Sequence, residues 1–322
     1  MHKTHLLRWR KKSILSVFIE SLQMLQGTYT ALVTPFRNGE IDFQAFKEII
    51  EWQIENGIDG LVVCGSTGES ITLSFKEQSE LLSFAVEVVN GRVPVIGGIG
   101  VVATEQAIQL GRNAIDAGVD ALLVLVPYYI KPTQEQIYKF YYDVSSALNF
   151  PIILYNNPGR CGVSMSVDTV VRLSQDSNFI GIKEADSDIT RPTQYRNFID
   201  REDFSILSGN SSTVAAFLAQ GGHGVISTTS NVEPALCARL TDAWIHMEMD
   251  DFQEIRDILL PLDEALYFEP VPASIKYVLS ESGLLCSPEV RPPLQELSPE
   301  TKERLMNVVR QFDEVGGEDD EG

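Results

Sequence analysis

The chain has 322 residues, of which 45 are acidic and 25 are basic, so its formal net charge is −20. This acidic balance argues against a nucleic-acid-binding protein and against adsorption to anionic membranes, since both functions require clustered Lys and Arg. Apolar residues make up 44% and charged residues 22%, which is typical of a globular protein with enough chain to bury a large core.

The two ends of the chain differ from the part between them. Residues 1–26 carry five basic residues and a single acid, and their apolar run is too short for a secretory signal or a membrane span. We expect this segment to be an extension outside the fold or a misassigned start, with Met24 as the natural beginning; a transit peptide is the alternative. Residues 313–322 are rich in Gly, Asp and Glu, which predicts a disordered acidic tail.

The four cysteines form neither a CxxC motif nor a cluster with histidine. Their spacing supports neither a zinc site nor a disulfide framework, and it favours a protein of the reducing cytoplasm. The sequence therefore predicts no metal site, no membrane contact and no nucleic-acid partner.

Short apolar runs alternate with longer amphipathic ones along most of the chain. The short runs are continuous rather than alternating, which indicates parallel strands that are covered on both faces. In chain order, the predicted strands are Thr28–Pro35, Gly60–Gly65, Val93–Gly100, Ala121–Pro127, Ile152–Asn157, Ile180–Glu184, Ser205–Asn210 and Gly224–Thr228. The helical patterns between them are Phe43–Asn56, Phe75–Val89, Thr104–Ala117, Gln134–Leu148, Ser166–Gln175 and Ser212–Ala219.

Eight strand–helix units predict an α/β fold, specifically a (β/α)8 TIM barrel over residues 27–232. An open doubly wound sheet is the alternative, because periodicity does not distinguish a closed sheet from an open one. After about Asn231 the strand patterns stop, and a small C-terminal helical domain is predicted over residues 233–312. Its helices are predicted at Glu233–Met249, Asp251–Leu266, Pro272–Ser282 and Glu300–Phe312.

Lys183 is the most informative single residue. It lies in the apolar run 179–185, which would carry its amine into the barrel near the carboxyl end of a strand, where barrel enzymes place their chemistry. Burial favours the neutral amine, and a neutral amine attacks ketones and aldehydes to form a Schiff base. The alternative is a lysine that pairs with Glu184 or reaches solvent from the strand end.

Three other strand ends carry polar groups that suit the same chemistry. Ser66 and Thr67 lie between two glycines, on a tight turn whose hydroxyls and backbone N–H groups could hold a carboxylate. Tyr155 could relay protons, and Arg160 could clamp a second carboxylate. Each of these groups has a structural alternative. The Ser66–Thr67 turn could simply cap a helix, Tyr155 could be a tyrosine whose hydroxyl is satisfied by a structural hydrogen bond, and Arg160 could be a solvated surface residue.

Two further motifs are predicted to be structural. The segment 98–103 matches the GxGxxA dinucleotide fingerprint, but the strand that follows ends at Val126-Pro127 without the required carboxylate. His223 precedes the last strand and therefore falls at the bottom of the barrel, away from the expected site.

In this order and spacing, four segments resemble motifs of the dihydrodipicolinate synthase family, the lysine-pathway branch of the pyruvate-dependent class I aldolases: Gly65–Glu69, Pro127–Tyr129, Tyr155–Arg160 and Gly181–Ala185. The resemblance extends from about residue 27 to about residue 312. It implies a lyase of lysine and diaminopimelate biosynthesis, with 4-hydroxy-tetrahydrodipicolinate synthase activity. It also implies pyruvate and aspartate semialdehyde as substrates, no metal or cofactor, and a homotetramer built as a dimer of tight dimers.

The same resemblance implies the catalytic roles. Lys183 would form the imine with pyruvate, and Tyr155 would relay protons. Ser66 would link Tyr155 to Tyr129, which in this family reaches in from a neighbouring subunit.

The binding roles also follow from the resemblance. Thr67 would hold the pyruvate carboxylate, Arg160 would hold the carboxylate of aspartate semialdehyde, and the backbone carbonyl of Ile226 would face the imine. The alternative function is a sister pyruvate aldolase, such as an N-acetylneuraminate lyase or a 2-keto-3-deoxy sugar acid aldolase; such enzymes lack an arginine at position 160. A catalytically silent barrel is a third interpretation, and it would predict the loss of Lys183 or Tyr155.

The chain departs from the family most clearly at the lysine-feedback site. Where inhibited members carry His, His, Asn and Glu, this chain has Phe75, Gln78, Val102 and Gln106. The two apolar side chains would leave the ammonium and carboxylate groups of lysine unpaired, at a cost of about 1–3 kcal/mol each. We therefore expect weak or absent inhibition by lysine.

Overall fold

The structure, a computed structural model, describes residues 24–316. The predicted extension before residue 24 and the predicted tail after residue 316 lie outside the described residues. Ordered packing begins before residue 27, because Leu25 is buried and donates its N–H to the Ser205 hydroxyl at 2.7 Å. The last helix runs to Gly316, past the residue at which the tail was predicted to begin.

Eight parallel strands close into a barrel, which confirms the predicted fold and excludes the open sheet. Each barrel strand pairs with the next one along the chain, and the last pairs with the first, with Gly27 opposite Gly224. A small antiparallel hairpin, β2 and β3, lies outside the barrel. The strands are β1 (Gly27–Ala31), β2 (Phe36–Arg37), β3 (Glu40–Ile41), β4 (Gly60–Val63), β5 (Val95–Ile99), β6 (Ala121–Leu125), β7 (Ile152–Asn156), β8 (Phe179–Glu184), β9 (Ser205–Ser208) and β10 (Gly224–Ser227).

Several strands are shorter than predicted at their carboxyl ends. The run predicted as Gly60–Gly65 leaves the sheet after Val63, and the run predicted as Ala121–Pro127 leaves it after Leu125. The apolar pattern continues past the last paired residue because the first residues of the loops are also buried. These loops form the mouth of the barrel.

Most of the helices that follow the barrel strands cover the outside of the barrel, as expected for this fold, while the short helix after Asn157 lies at its mouth. The helices are α1 (Phe43–Glu55), α2 (Phe75–Val89), α3 (Thr104–Ala117), α4 (Gln134–Leu148), α5 (Pro158–Cys161), α6 (Val167–Leu173), α7 (Arg191–Phe198), α8 (Val214–Ala219) and α9 (Pro234–Ile245). The Ser74 hydroxyl accepts a hydrogen bond from the N–H of Glu77, whose carboxylate accepts one from the N–H of Ser74, so the two residues form a capping box at the start of α2. At the start of α6 the Ser166 hydroxyl accepts the N–H of Thr169.

The sequence patterns did not predict α7. This helix begins at Arg191-Pro192 and is mostly polar, so it lacks the apolar period by which an amphipathic helix is recognised. It forms because tertiary contacts bury Arg191 and Tyr195. The pattern predicted as one helix from residue 212 is a short 3-10 turn followed by α8.

The C-terminal helices contact the mouth of the barrel. They are α10 (Met249–Ala265), α11 (Val271–Glu281) and α12 (Pro299–Gly316). The helix predicted over 233–249 ends at Ile245 instead, because Met247 adopts a left-handed conformation with φ of 61° and α10 begins two residues later. Since α9 packs against both β1 and α10, the domain boundary predicted after residue 232 stays a prediction.

Within residues 24–316, none of the helices is long and apolar enough to cross a membrane. All four cysteines are unpaired, and three of them are buried.

Candidate active site

Lys183 and Tyr155 lie side by side at the carboxyl ends of two adjacent strands. They are direct partners in the register of β7 and β8. The Lys183 Nζ atom lies 4.5 Å from the centre of the Tyr155 ring, and both residues are about nineteen-twentieths buried. The structure therefore brings together the two residues to which the sequence assigned the central chemistry.

Burial lowers the pKa of Lys183 below its ordinary value. The charge of the Tyr155 phenol and its hydrogen bond oppose this shift, while the nearby Arg160 guanidinium reinforces it. The direction is the one expected for a nucleophilic amine, because a larger fraction of the side chain is uncharged near neutral pH.

The alternative pairing of Lys183 with Glu184 is wrong. Side chains alternate along a strand, so consecutive residues face opposite sides of the sheet. The Glu184 carboxylate accepts a hydrogen bond from Arg191 Nε at 2.7 Å and another from the Tyr195 hydroxyl at 2.6 Å. Both partners belong to α7, so Glu184 is neutralised in the helical layer and leaves the amine of Lys183 free for chemistry.

Polar neighbours favour ionisation of the Tyr155 phenol. Burial alone would raise its pKa, but Lys183, a hydrogen bond from Asn157, the Arg160 guanidinium and a hydrogen bond with Ser66 together lower it. The Asn157 side-chain N–H donates to the phenol oxygen over 3.0 Å. A hydrogen bond thus joins Ser66 and Tyr155, while the predicted link from Ser66 on to Tyr129 stays a prediction. The role of Asn157 was not predicted, although its place directly after the strand that carries Tyr155 was the available signal.

The turn that carries Ser66 and Thr67 is closed by backbone hydrogen bonds. The N–H of Glu69 donates to the Ser66 carbonyl at 3.2 Å, and Thr67 is buried. A side chain at Gly68 would approach the Leu32 carbonyl to 3.0 Å, so glycine is needed for the close approach. The turn and the Tyr155 ring border a small cavity of about 30 Å³.

The packing of the turn also explains the GxG sequence at residues 98–100. A Cβ atom on Gly98 would lie 2.3 Å from the Cys64 carbonyl oxygen, directly before the turn. This glycine is therefore required so that β5 can pass next to β4, which supports the structural interpretation of the motif.

Glu69 and Lys276 form a fully buried ion pair behind the turn. The Lys276 Nζ atom lies 2.5 Å from Glu69 Oε1, and neither side chain is exposed to solvent. The second Glu69 oxygen accepts the backbone N–H of Arg291 at 2.9 Å. Burial lowers the pKa of Lys276 to about 8, despite the adjacent carboxylate. Glu69 lies in one of the family motifs, but the sequence indicates no role for it. Lys276 was not predicted, since it stands 207 residues from Glu69 along the chain.

Arg160 lies at the mouth of the barrel in the short helix α5. Its backbone N–H donates to the Asn157 side-chain oxygen at 3.1 Å, which caps α5. The residue is exposed, and its guanidinium is close enough to affect the ionisation of both Lys183 and Tyr155. Among the described residues it has no carboxylate within ion-pair distance, so the guanidinium is available to an anionic ligand.

The remaining predicted residues occupy different surroundings. Ile226 is fully buried on β10, one of the strands that surround the site. Tyr129 is 89% exposed and has a φ of 68°, and within the described part of the chain no hydrogen bond joins it to Ser66. His223 lies before β10, where its Nδ1 atom accepts the N–H of Ile206 at 2.9 Å, as a structural histidine would.

The model of the dihydrodipicolinate synthetase family matches residues 24–312. A 4-hydroxy-tetrahydrodipicolinate synthase from Rhodospirillum centenum is 48% identical over 271 residues, which cover 84% of this chain and 92% of the relative. One from Bradyrhizobium diazoefficiens is 43% identical over 284 residues, which cover 88% and 95%.

Solved structures of dihydrodipicolinate synthases are also similar to this chain. The crystal structure of dihydrodipicolinate synthase from Aquifex aeolicus has a TM-score of 0.87 and 38% sequence identity, and covers 90% of this chain and 98% of its own. The lysine-bound enzyme from Cyanidioschyzon merolae has a TM-score of 0.86 and 30% identity, and covers 90% and 99%.

Proposed function

The chain belongs to the dihydrodipicolinate synthetase family, and from this premise we propose that Lys183 and Tyr155 carry out the 4-hydroxy-tetrahydrodipicolinate synthase reaction on pyruvate and aspartate semialdehyde. The protein is a lyase of lysine and diaminopimelate biosynthesis. The observation that carries the proposed mechanism is the buried amine of Lys183, 4.5 Å from the Tyr155 ring, with a lowered pKa.

The first step forms a covalent imine. The neutral Lys183 amine attacks the keto carbon of pyruvate, a C–N bond forms, and the keto oxygen leaves as water. Tyr155 delivers the protons that this departure requires and takes them back, since its phenol lies beside the amine. Ser66 and Asn157 hold the phenol by hydrogen bonds.

The second step forms the carbon–carbon bond. The protonated imine withdraws electrons, so the pyruvate methyl group gives a proton to Tyr155 and becomes an enamine. The enamine carbon attacks the aldehyde carbon of the semialdehyde, whose oxygen takes that proton back from Tyr155 to become a hydroxyl, and the imine forms again. The amino group of the adduct, once deprotonated, attacks the imine carbon and passes its hydrogen to the Lys183 nitrogen; the ring closes as the C–N bond to Lys183 breaks, with the electron pair of that bond returning to the amine.

The two substrates carry one carboxylate each, and we assign these to two sites. The pyruvate carboxylate is bound by Thr67 and the N–H groups of its turn, which supply oriented dipoles without a charge that must be desolvated. The carboxylate of the semialdehyde is bound by Arg160, which has no ion-pair partner among the described residues. The Ile226 carbonyl faces the imine. Because no cofactor is needed to balance these steps, we propose that the enzyme uses none and no metal.

We further propose a cytoplasmic homotetramer, a dimer of dimers, in which Tyr129 completes the site of a neighbouring copy. The support is the exposure of Tyr129 and Ile130, which are 89% and 58% exposed at the mouth of the barrel. Large apolar side chains exposed together are typical of an interface. The four unpaired cysteines support the location.

The test is borohydride reduction in the presence of pyruvate, followed by peptide mass mapping. We expect a reduced pyruvate adduct on Lys183, while Lys276, which is buried but paired with Glu69, serves as the internal control and stays unmodified. An adduct on any other lysine contradicts the mechanism. Turnover with aspartate semialdehyde but not N-acetylmannosamine separates this function from that of a sugar-acid aldolase.

A further inference from the structure

A tyrosine of the C-terminal helices reaches the mouth of the barrel. Tyr267 lies two residues after the last residue of α10, and its hydroxyl lies 3.0 Å from the Thr228 hydroxyl. Thr228 is the first residue after β10, the strand that carries Ile226. The helical domain therefore places a phenol against the carboxyl end of a barrel strand, where the candidate active site opens.

The chain on both sides of Tyr267 is fixed. Leu266 is fully buried in the core, and Phe268 packs under the Arg304 guanidinium at 4.2 Å. Four residues earlier, the Asp263 carboxylate accepts a hydrogen bond from the Thr229 hydroxyl. Tyr267 itself is 51% exposed, so it is a half-exposed aromatic residue held in place by its neighbours rather than a mobile surface side chain.

The Tyr267 hydroxyl shares its surroundings with the catalytic groups. Burial raises its pKa, the hydrogen bond with Thr228 lowers it, and Tyr155 and Arg160 contribute in opposite directions to a net increase. The phenol is therefore neutral near neutral pH. When it donates its hydrogen to Thr228, its lone pairs remain free to accept a hydrogen bond from a ligand at the mouth.

We propose that Tyr267, supported by Thr228, is a specificity-determining residue that binds the α-ammonium group of the second substrate. This inference rests on the proposed function, in which Arg160 binds the neighbouring carboxylate. The Tyr267 hydroxyl is an uncharged oxygen acceptor near enough to the Arg160 guanidinium to be affected by its charge. Together they offer the two groups needed to bind an α-amino acid head, which carries one cation and one anion. The arrangement selects amino-acid aldehydes over sugar-derived ones, because the latter have no cation to offer.

The Tyr267→Phe substitution removes the hydroxyl and keeps the ring, and steady-state kinetics should separate its effects. We expect the KM for aspartate semialdehyde to rise about tenfold, since hydrogen bonds to charged groups contribute at this level. The KM for pyruvate and the trapping of pyruvate on Lys183 should stay within twofold. Tyr142→Phe, on the exposed outer face of α4, is the matched control and should change neither KM.

Succinic semialdehyde, which lacks the amino group, provides the second measurement. Its inhibition constant against aspartate semialdehyde should be the same for the wild type and for Tyr267→Phe. The proposal is overturned if the substitution leaves the KM for aspartate semialdehyde within twofold, or if it weakens both aldehydes equally. Failure to trap pyruvate on Lys183 of the wild type would instead contradict the proposed function, so the two failures are distinguishable.

Discussion

Lys183 and Tyr155 are neighbours on adjacent strands, and each affects the ionisation of the other. Burial lowers the pKa of the amine, while the same amine, when charged, helps to lower the pKa of the phenol. Because the phenol lies beside the amine, it is placed to exchange protons with it. This mutual effect is the residue-level basis of the proposed imine chemistry.

Replacing Tyr155 with Phe tests this pairing. We expect kcat to fall by about 10²–10⁴-fold, the usual contribution of a general acid–base group, while borohydride still traps pyruvate on Lys183. Mass mapping and steady-state turnover measure the two effects. The assigned role is wrong if kcat stays within tenfold of the wild type, whereas Tyr142→Phe should leave it unchanged.

The elements that carry these residues are connected by the buried carboxylate of Glu184. One of its oxygens accepts hydrogen bonds from the Asn156 side chain at 2.7 Å and from the N–H of Asp186 at 2.8 Å. The other accepts from Arg191 and Tyr195 of α7. The Asn156 side-chain oxygen in turn accepts the N–H of Met165 at 2.9 Å, at the end of the loop that carries Arg160. The ion pair between Glu184 and Arg191 joins β8 to α7, and the hydrogen bonds of Asn156 extend this network to β7 and to the loop.

The substitution Glu184→Gln removes the charge from this network and leaves Arg191 buried without an ionic partner. We expect the free energy of unfolding to fall by about 3 kcal/mol, because breaking a buried pair leaves an uncompensated charge. Urea unfolding measures the change.

The matched control is Glu135→Gln, which breaks an exposed pair with Arg172 of similar N–O distance, 2.7 Å. This substitution should cost less than about 1 kcal/mol, since exposed pairs are screened by water. Equal effects of the two substitutions would show that the buried pair does not hold these elements together.

The C-terminal helices contact the mouth of the barrel and not its outer side alone. Lys276 pairs with Glu69 behind the Ser66–Thr67 turn, and Tyr267 bonds to Thr228. Lys276 belongs to α11, and Tyr267 belongs to the connection between α10 and α11. Their partners, Glu69 and Thr228, lie in loops that carry the candidate site. The active site is therefore a product of both parts of the chain.

Inhibition by lysine would require a binding site, which we do not expect this chain to offer. The relative from Cyanidioschyzon merolae was solved with lysine bound. In this chain the side-chain N–H group of Gln78 already donates to the Ser70 carbonyl at 2.9 Å, and Phe75 packs against the core. We expect lysine to inhibit weakly or not at all, because these residues offer its charged groups no partners. Inhibition by submillimolar lysine in a turnover assay would contradict this.

The sequence predicts the barrel well because its strands are buried on both faces and so appear as continuous apolar runs. It does not predict α7, whose polar sequence becomes helical only through the burial of Arg191 and Tyr195. Lys183 and Tyr155 could be placed because strand ends alone locate them.

Residues that meet across long stretches of chain could not be found in this way. Glu69 lies 207 residues from Lys276, and Tyr267 lies 39 residues from Thr228, so no local pattern relates the partners. Their contacts follow from the packing of the C-terminal helices and their connections on the barrel, which only the three-dimensional structure shows.

The pH dependence of imine formation at Lys183 tests directly whether this buried amine is the nucleophile and has a lowered pKa. The rate at which borohydride-trapped pyruvate accumulates on Lys183 follows the neutral fraction of the amine, so it rises with pH and levels off above the pKa. We expect a midpoint clearly below the ordinary lysine value of 10.5, because burial disfavours the ammonium form. A midpoint at or above that value would contradict it.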